Sequence, residues 1–567
     1  MSHDRMNRRP GRMLPALRLA AALALAGLAA SCAGPTGPGT AAPSAAAAAA
    51  ARPKLVVFLV VDGLPMRQVT AYREQLQPDG FARFLERGTW FAEAHYGYAF
   101  TVTAAGHATM LTGAYPHATG IIGNDWRDVA SGEMQYCTGD ERHTYLGHKT
   151  GKLDGTSPAN LRVETVGDVL RRATPASKVI GISGKDRGAI LPAGKTGTAY
   201  MYMSETGSFA SSTYYMKEHP AWVSAFNAGK PADRYFKAEW KPALPDAAYA
   251  QSLGDNQPWF GTRPGKLPMT MGASAEKPGQ PFYSGLLRSP FVDEMSLAFA
   301  RAAIAGEQLG ADEAPDILAV SLSGHDYVNH YWSAESRLSH DHFLHLDRLL
   351  QAFFRDLDAT VGKDNYVAVL TADHGFMPAP EVSRLRGQDA GRMVSSETLG
   401  RVNAELEKRF GVAKLGRFFS ASALVLDRAL LAQHRLDANT VAEAARTALL
   451  AEPGIAVAYT RAELEAGSRA GAPLFDAMVK SWHKERSGDV QLAPKANWMF
   501  VSSTANTTHG SPYVYDTHVP ILVYGPRWVK AARVDRRVEV ADIAPTLARL
   551  LGVAAPAASE GKPLPLN

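Results

Sequence analysis

Lys54-Leu55-Val56-Val57-Phe58-Leu59-Val60-Val61 is an unbroken apolar run that stops on Asp62. Three more stretches repeat the arrangement. Asp316-Ile317-Leu318-Ala319-Val320-Ser321-Leu322 leads into Gly324-His325-Asp326, with His330 four residues on. Tyr366-Val367-Ala368-Val369-Leu370 leads into Asp373-His374-Gly375, and Lys178-Val179-Ile180-Gly181-Ile182 into Lys185-Asp186-Arg187. Runs that are apolar at nearly every position suit parallel strands buried on both faces; a half-buried strand would alternate. In open α/β sheets, ligands collect beyond the carboxyl ends of such strands. The pattern predicts that carboxylates and imidazoles hundreds of residues apart meet on one rim, as in a metal-dependent enzyme acting on an anion.

Helical spacing lies between these runs, at residues 291–304, 344–361 and 541–551. The last has Asp542 near its start and Gly552 just past its end, a sound start and stop. Strand alternating with helix predicts an α/β fold, a doubly wound and mostly parallel sheet flanked by helices. Two stretches break the alternation. Residues 200–282 are dense in Tyr, Trp, Phe, Pro and Gly, and residues 376–498 are mixed, with helical patterns at 395–410 and 440–450. Both are expected as insertions capping the strand ends within one catalytic domain over 54–567. Any single residue in them is as readily a packing residue as a substrate contact.

The chain has 567 residues, 46% hydrophobic and 20% charged, enough for a large core. Five arginines against Asp4 in residues 1–31 account for +4 of the formal charge of +5, so a basic nucleic-acid surface is not supported. That N-terminus reads as an export signal over 1–32, basic residues followed by an apolar run from Leu17 to Ala30. The run is short for a membrane span. Ala29-Ala30-Ser31-Cys32 resembles a lipobox that would attach a lipidated Cys32 to a membrane; plain cleavage and release into the periplasm is the other outcome. Arg8-Arg9 fits a twin-arginine signal poorly. Residues 33–53, rich in Ala, Pro and Gly, read as a tether. With only Cys32 and Cys137 present, a disulfide framework is excluded, and metal ligands must be His, Asp, Glu or Thr.

Phe100-Thr101-Val102-Thr103-Ala104-Ala105-Gly106-His107-Ala108-Thr109-Met110-Leu111-Thr112-Gly113 predicts a short helix beginning near Thr103. A hydroxyl at a helix N-terminus faces unpaired N–H groups and the positive end of the dipole, which favours an anion there. By itself Thr103 would read as an ordinary cap. Asp326 and His330, four apart, could be a plain helix-face pair, and Asp373-His374 a strand end. Their shared position just past buried strands favours ligands.

Seven pieces in order carry a resemblance: Val61-Asp62-Gly63, Thr103-Ala104-Ala105-Gly106-His107, Gly120-Ile121-Ile122-Gly123-Asn124-Asp125-Trp126, Ser183-Gly184-Lys185-Asp186-Arg187, Asp326-x-x-x-His330, Ala372-Asp373-His374-Gly375 and His509-Gly510-Ser511. Together they resemble the alkaline phosphatase superfamily, and within it the phosphate-irrepressible (PafA-like) alkaline phosphatases. The resemblance implies an alkaline-phosphatase-like fold and hydrolysis of a broad set of small-molecule phosphomonoesters. It implies two zinc ions per chain, one held by Asp62, Asp373, His374 and the Thr103 oxygen, the other by Asp326, His330 and His509. Zinc takes such O and N ligands, and two ions can clamp the attacking and leaving oxygens of an in-line displacement. Thr103 is then the nucleophile of a phospho-threonine intermediate.

His509 competes with His518 for the last ligand, and the family position favours His509. Asn124 matches a phosphate-contacting residue of the family, though Asn beside Gly123 also suits a turn. Lys185 and Arg187, alternate residues on an extended segment, would point the same way and reach one phosphate, unless they form a solvated surface pair. In the family this pair marks preference for dianionic monoesters. His107 reads as a packing residue and stays outside the metal set. The alternatives are a phosphodiesterase or nucleotide pyrophosphatase of the same superfamily and a non-catalytic zinc-binding lipoprotein. A monomer is expected, although no residue specifies it.

Overall fold

The computed structural model describes residues 52–261, 264–501 and 505–566. The expected signal, Cys32 and nearly all of the tether lie outside them. Nine strands form the main sheet: β1 (Leu55–Val61), β2 (Thr89–His95), β3 (Val179–Ser183), β4 (Thr198–Met203), β5 (Ser208–Ala210), β6 (Asp316–Leu322), β7 (Tyr366–Thr371), β8 (Ile521–Tyr524) and β9 (Ala532–Glu539). Their order is β9-β2-β8-β7-β1-β6-β3-β4-β5. The four apolar runs are the adjacent strands β7, β1, β6 and β3, paired in parallel. Every residue of β1, β6 and β7 is buried, as continuous apolar runs require. β8 pairs antiparallel with β7 and β2, and β5 antiparallel with β4. The sheet is therefore mixed, with a parallel centre.

Register brings the central strands to one level. Val61 lies opposite Leu322, Val60 opposite Thr371, and Ser321 opposite Ser183. The residues that follow each strand consequently emerge side by side. The helices that matter for the site are α1 (Thr103–Thr112), α2 (Asp186–Ala193), α3 (Pro290–Glu307), α4 (Gly324–Trp332), α5 (Arg337–Thr360) and α6 (Ile543–Leu551). Gly113, in the left-handed region at φ 69°, ends α1, as its place after the small-residue run predicts.

Residues 200–210, the first part of the stretch expected as an insertion, belong instead to the β4–β5 hairpin at the edge of the main sheet. The period is hidden there because Tyr200 and Tyr202 on one face and Met201 and Met203 on the other are all buried. Between β7 and β8 lies a second sheet, all antiparallel, of Gly416–Ser420, Ala423–Leu426, Val490–Pro494 and Ile455–Thr460. The helices Ser395–Phe410 and Ala438–Leu450 pack on it around Leu406, Leu424, Val441 and Val490.

Candidate metal centre and nucleophile

Asp62 follows β1, Asp373 and His374 follow β7, and α4 starts directly after β6 with Asp326 in its first turn. The Gly63 N–H donates to Asp373 Oδ1 at 3.0 Å, which ties the ends of β1 and β7 together. His330 Nε2 sits 3.3 Å from Asp326 Oδ1, one turn along α4. His509 Nε2 is 3.6 Å from the same oxygen. His374 Nε2 lies 3.4 Å from Asp373 Oδ2, 3.6 Å from Asp62 Oδ1 and 4.0 Å from Asp326 Oδ1. The ligand atoms form two overlapping sets, Asp62/Asp373/His374 and Asp326/His374/His509.

In each of the three histidines the other nitrogen, Nδ1, faces a backbone carbonyl: Thr507 at 2.8 Å for His330, Gly375 at 2.8 Å for His374, Thr101 at 2.9 Å for His509. A carbonyl can only accept, so we assign the proton to Nδ1 and a lone pair to Nε2. Those lone pairs confront carboxylate oxygens, a repulsive contact between electron-rich atoms that a cation resolves. Asp62 Oδ1 and Asp326 Oδ1 are buried and receive no hydrogen bond. A buried polar atom left without a partner is disfavoured. The residues therefore fit a metal pair with O and N ligands, and the carbonyl-oriented imidazoles are the usual outer support of such a site.

Thr103 is buried at the first position of α1, with Val102 in the capping position, so its hydroxyl is free of a capping role. Its Oγ1 is 3.4 Å from His374 Nε2. Asn124 Oδ1 accepts the Ala104 N–H at 2.9 Å, so Asn124 caps the first turn of α1 from the side. His518 is elsewhere: its Nε2 lies 2.7 Å from the Ala92 carbonyl, and its ring stacks on His95. His509 is the histidine at the site.

The extended-segment argument for Lys185 and Arg187 does not hold. β3 ends at Ser183 and α2 begins at Asp186, which leaves Lys185 extended at the helix cap and Arg187 in the first turn. The two side chains diverge. Lys185 Nζ contacts Asp326 Oδ2 at 2.6 Å and Asp62 Oδ2 at 2.8 Å, while Arg187 Nη1 donates to the Tyr136 hydroxyl at 3.1 Å. Both still line one cleft of about 420 Å³.

Burial pushes the Asp62 carboxyl well above its ordinary range, and the Asp373 charge adds to the effect. Burial would raise Asp326 as well, but His330 and Lys185 outweigh it and hold that carboxyl well below the usual range. His374 and His107 do the same for Asp373 against its burial. Burial disfavours the charged form of Lys185, yet Asp326 and Asp62 raise its pKa and keep it protonated. Burial lowers His374 and His509, which keeps both rings in the neutral form that binds metal.

One contributor, Asn329, and one contact of Lys185 escaped the sequence reading. Asn329 Nδ2 donates to the Gly63 carbonyl at 3.0 Å, bracing the residue next to Asp62. Its place three residues after Asp326 on the same helix was the available signal. Lys185 bridges two carboxylates, a role that sequence spacing does not encode.

The family model for type I phosphodiesterase / nucleotide pyrophosphatase matches residues 56–514. The chain belongs to that family. Within its wider alkaline phosphatase superfamily, this member is 35% identical over 517 residues to alkaline phosphatase PafA of Elizabethkingia meningoseptica, covering 90% of this chain and 94% of that one. A Myroides odoratus protein named calcium-transporting ATPase is 35% identical over 520 residues, covering 90% and 94%. Alkaline phosphatase PhoV of Synechococcus elongatus is 34% identical over 518 residues, covering 90% and 92%. The crystal structure of wild-type PafA superposes with a TM-score of 0.84 at 34% identity, over 90% of this chain and 98% of that one. A solved variant of PafA carries substitutions at a threonine, an asparagine, a lysine and an arginine, in that chain order.

Proposed function

We propose that this family member is a zinc-dependent alkaline phosphatase that hydrolyses phosphate monoesters through a phospho-Thr103 intermediate. The observation that carries the reading is the Thr103 hydroxyl, buried at the start of α1 and 3.4 Å from His374 within the two ligand sets. Asp62, Asp373 and His374 would hold one zinc ion together with Thr103, and Asp326, His330 and His509 the second. Such ions supply Lewis-acid charge for in-line phosphoryl transfer.

The chain's own residues do the rest. Thr103 Oγ loses its proton and bonds to phosphorus as the ester P–O bond breaks and the alcohol departs. Water then cleaves the P–Oγ bond, which returns the hydroxyl and releases phosphate. The α1 N-terminus favours the anion. Asn124, Lys185 and Arg187 are the groups available to the non-bridging oxygens, and the four substituted residue types of the PafA variant occur here in the same order as Thr103, Asn124, Lys185 and Arg187. Added cations favour a dianionic monoester over a diester, and broad specificity follows if recognition centres on the phosphate.

Thr103→Ala should retain two zinc equivalents and lose turnover by on the order of 10³-fold or more. Full activity in that variant would end the nucleophile assignment. Chelation should abolish activity and zinc should restore it. The diesterase reading is supported by the family model's name and wins if diester turnover exceeds monoester turnover; monoester preference that survives removal of both Lys185 and Arg187 would count against the role given to that pair. A non-catalytic zinc-binding lipoprotein would show metal without turnover. Ion pumping finds no support among the described residues, where no helix is long and apolar enough to cross a membrane. The N-terminal pattern supports export to the periplasm with Cys32 lipidated, and loss of membrane association in Cys32→Ser would test that.

A further inference from the structure

Two cavities flank the ligand cluster, and their linings differ in kind. The one beside Lys185 and Arg187 is lined by charges of both signs, Lys149, Lys185 and Arg187 with Asp154, Asp186 and Glu205. The other, about 390 Å³, opens from Asn124, His330 and His509 and is walled by Phe100, Phe419, Trp498 and Phe500. Neither Lys nor Arg lines this second cavity among the described residues. No Lys or Arg offsets the charge of an anion there, and Asp516 also lines it, whereas an uncharged ring gains apolar contact and face-to-edge packing.

The wall is built rather than incidental. Phe419 and Phe500 pack with ring centroids 5.8 Å apart. The hairpin tip that follows Phe419 is tied to the Asn124 segment by the Arg127 N–H, which donates to Ser420 Oγ at 2.8 Å. On its other side Ser422 Oγ donates to the Leu492 carbonyl at 2.7 Å. Ala421 and Ser422 both hold left-handed backbone, φ 43° and 61°, a conformation that non-glycine residues adopt only when their surroundings impose it. Across the cavity, Gly510 at φ 108° leaves room for the Phe100 ring, which a Cβ would meet at 3.2 Å. The inserted sheet thus presents a rigid aromatic surface to the metal ligands.

We propose that this cavity receives the alcohol part of the substrate, and that Phe419, with Trp498 and Phe500, selects monoesters of aromatic, uncharged alcohols over those of small or anionic ones. The proposal rests on the phosphatase reading and specifies its substrate class. Charge sorts the two halves of such an ester: the phosphoryl group belongs with Lys185 and Arg187, and the ring belongs in the aromatic cavity. In an in-line displacement the departing oxygen lies opposite the nucleophile, which is consistent with a pocket opening beside His330 and His509.

The test compares benzyl phosphate with ethyl phosphate, whose alcohols have similar acidity, so that ring contact rather than leaving-group chemistry decides the ratio. The wild-type holoenzyme should prefer benzyl phosphate by about tenfold or more in kcat/KM, the scale of apolar pocket discrimination. Phe419→Ala should reduce that ratio severalfold, with Phe419→Leu intermediate. A wild-type ratio near one, or a ratio unmoved in both variants, overturns the proposal. If the variants prove unfolded, benzylphosphonate must inhibit the wild type about tenfold more tightly than ethylphosphonate; equal inhibition overturns it too. A failure of the phosphatase reading itself would show separately, as full activity in Thr103→Ala or as no monoester turnover at all.

Discussion

His107 Nδ1 stands 3.4 Å from Asp373 Oδ2, with both side chains fully buried. The same nitrogen is 2.9 Å from the Thr103 carbonyl, and Nε2 is 2.9 Å from Ser321 Oγ. One imidazole thus joins the helix of the proposed nucleophile, a proposed metal-ligand carboxylate and β6. Read from sequence as packing, His107 has contacts that suit a positioning residue. His107→Phe should weaken metal binding about 10–100-fold, the usual cost of losing an outer-shell partner. Competition with a chelator measures it; unchanged affinity would return His107 to a packing role.

Gly106 lies inside α1, where glycine costs helix stability relative to alanine. A Cβ there would sit 2.1 Å from the Asp373 carbonyl oxygen, so only glycine lets α1 approach the end of β7. Gly106→Ala should displace Thr103 from the ligands by roughly 1 Å, with a loss on the order of 10²-fold in kcat/KM. A variant as active as the wild type would show that the helix can be relocated without harm.

Asn124 caps α1 through its carbonyl. Asn124→Ala should destabilise the protein by about 1 kcal/mol, the ordinary cost of a lost cap. Asn124→Asp keeps an acceptor and should recover that stability, while its charge should weaken inhibition by phosphate. Thermal unfolding and the phosphate inhibition constant separate the two effects. Phosphate binding as tight in Asn124→Asp as in the wild type would place Asn124 away from the anion.

Asp347 supplies a pH signature far from the chemistry. Its Oδ1 accepts the Phe81 N–H at 2.7 Å, and burial raises its carboxyl from 3.8 to about 6. Between these values the folded protein keeps a proton that the unfolded chain has released. Stability from this group is therefore complete below pH 4 and falls as pH rises through about 6. At 1.36 kcal/mol per unit the loss is about 3 kcal/mol. Denaturant midpoints from pH 4 to 7 should show that slope in the wild type and not in Asp347→Asn. The difference between the two curves is the readout, because other carboxylates contribute slopes of their own. Identical slopes would exclude the shift.

Strand positions were legible because burial on both faces writes itself into every residue: the run from Asp316 to Leu322 is β6 to the residue. The helix expected over 395–410 is found as Ser395–Phe410, since an amphipathic face with Gly411 after it carries a local signal. The start of the stretch from residue 200 was misread, because an aromatic edge hairpin with both faces covered has no period to detect.

Local order along the chain determined that Asp62, Asp326, Asp373 and His374 follow strand ends, and parallel pairing then obliges them to share a rim. Chain order also presented Thr103 at a helix start. What only the folded molecule decided are contacts between segments with no fixed spacing: Lys185 turned onto Asp62 and Asp326 while Arg187 turned to Tyr136, and His509 rather than His518 beside Asp326. A side chain's direction after a strand depends on where the next helix begins and on what packs against it. That is a property of three-dimensional neighbours, which no pattern of residues along one segment contains.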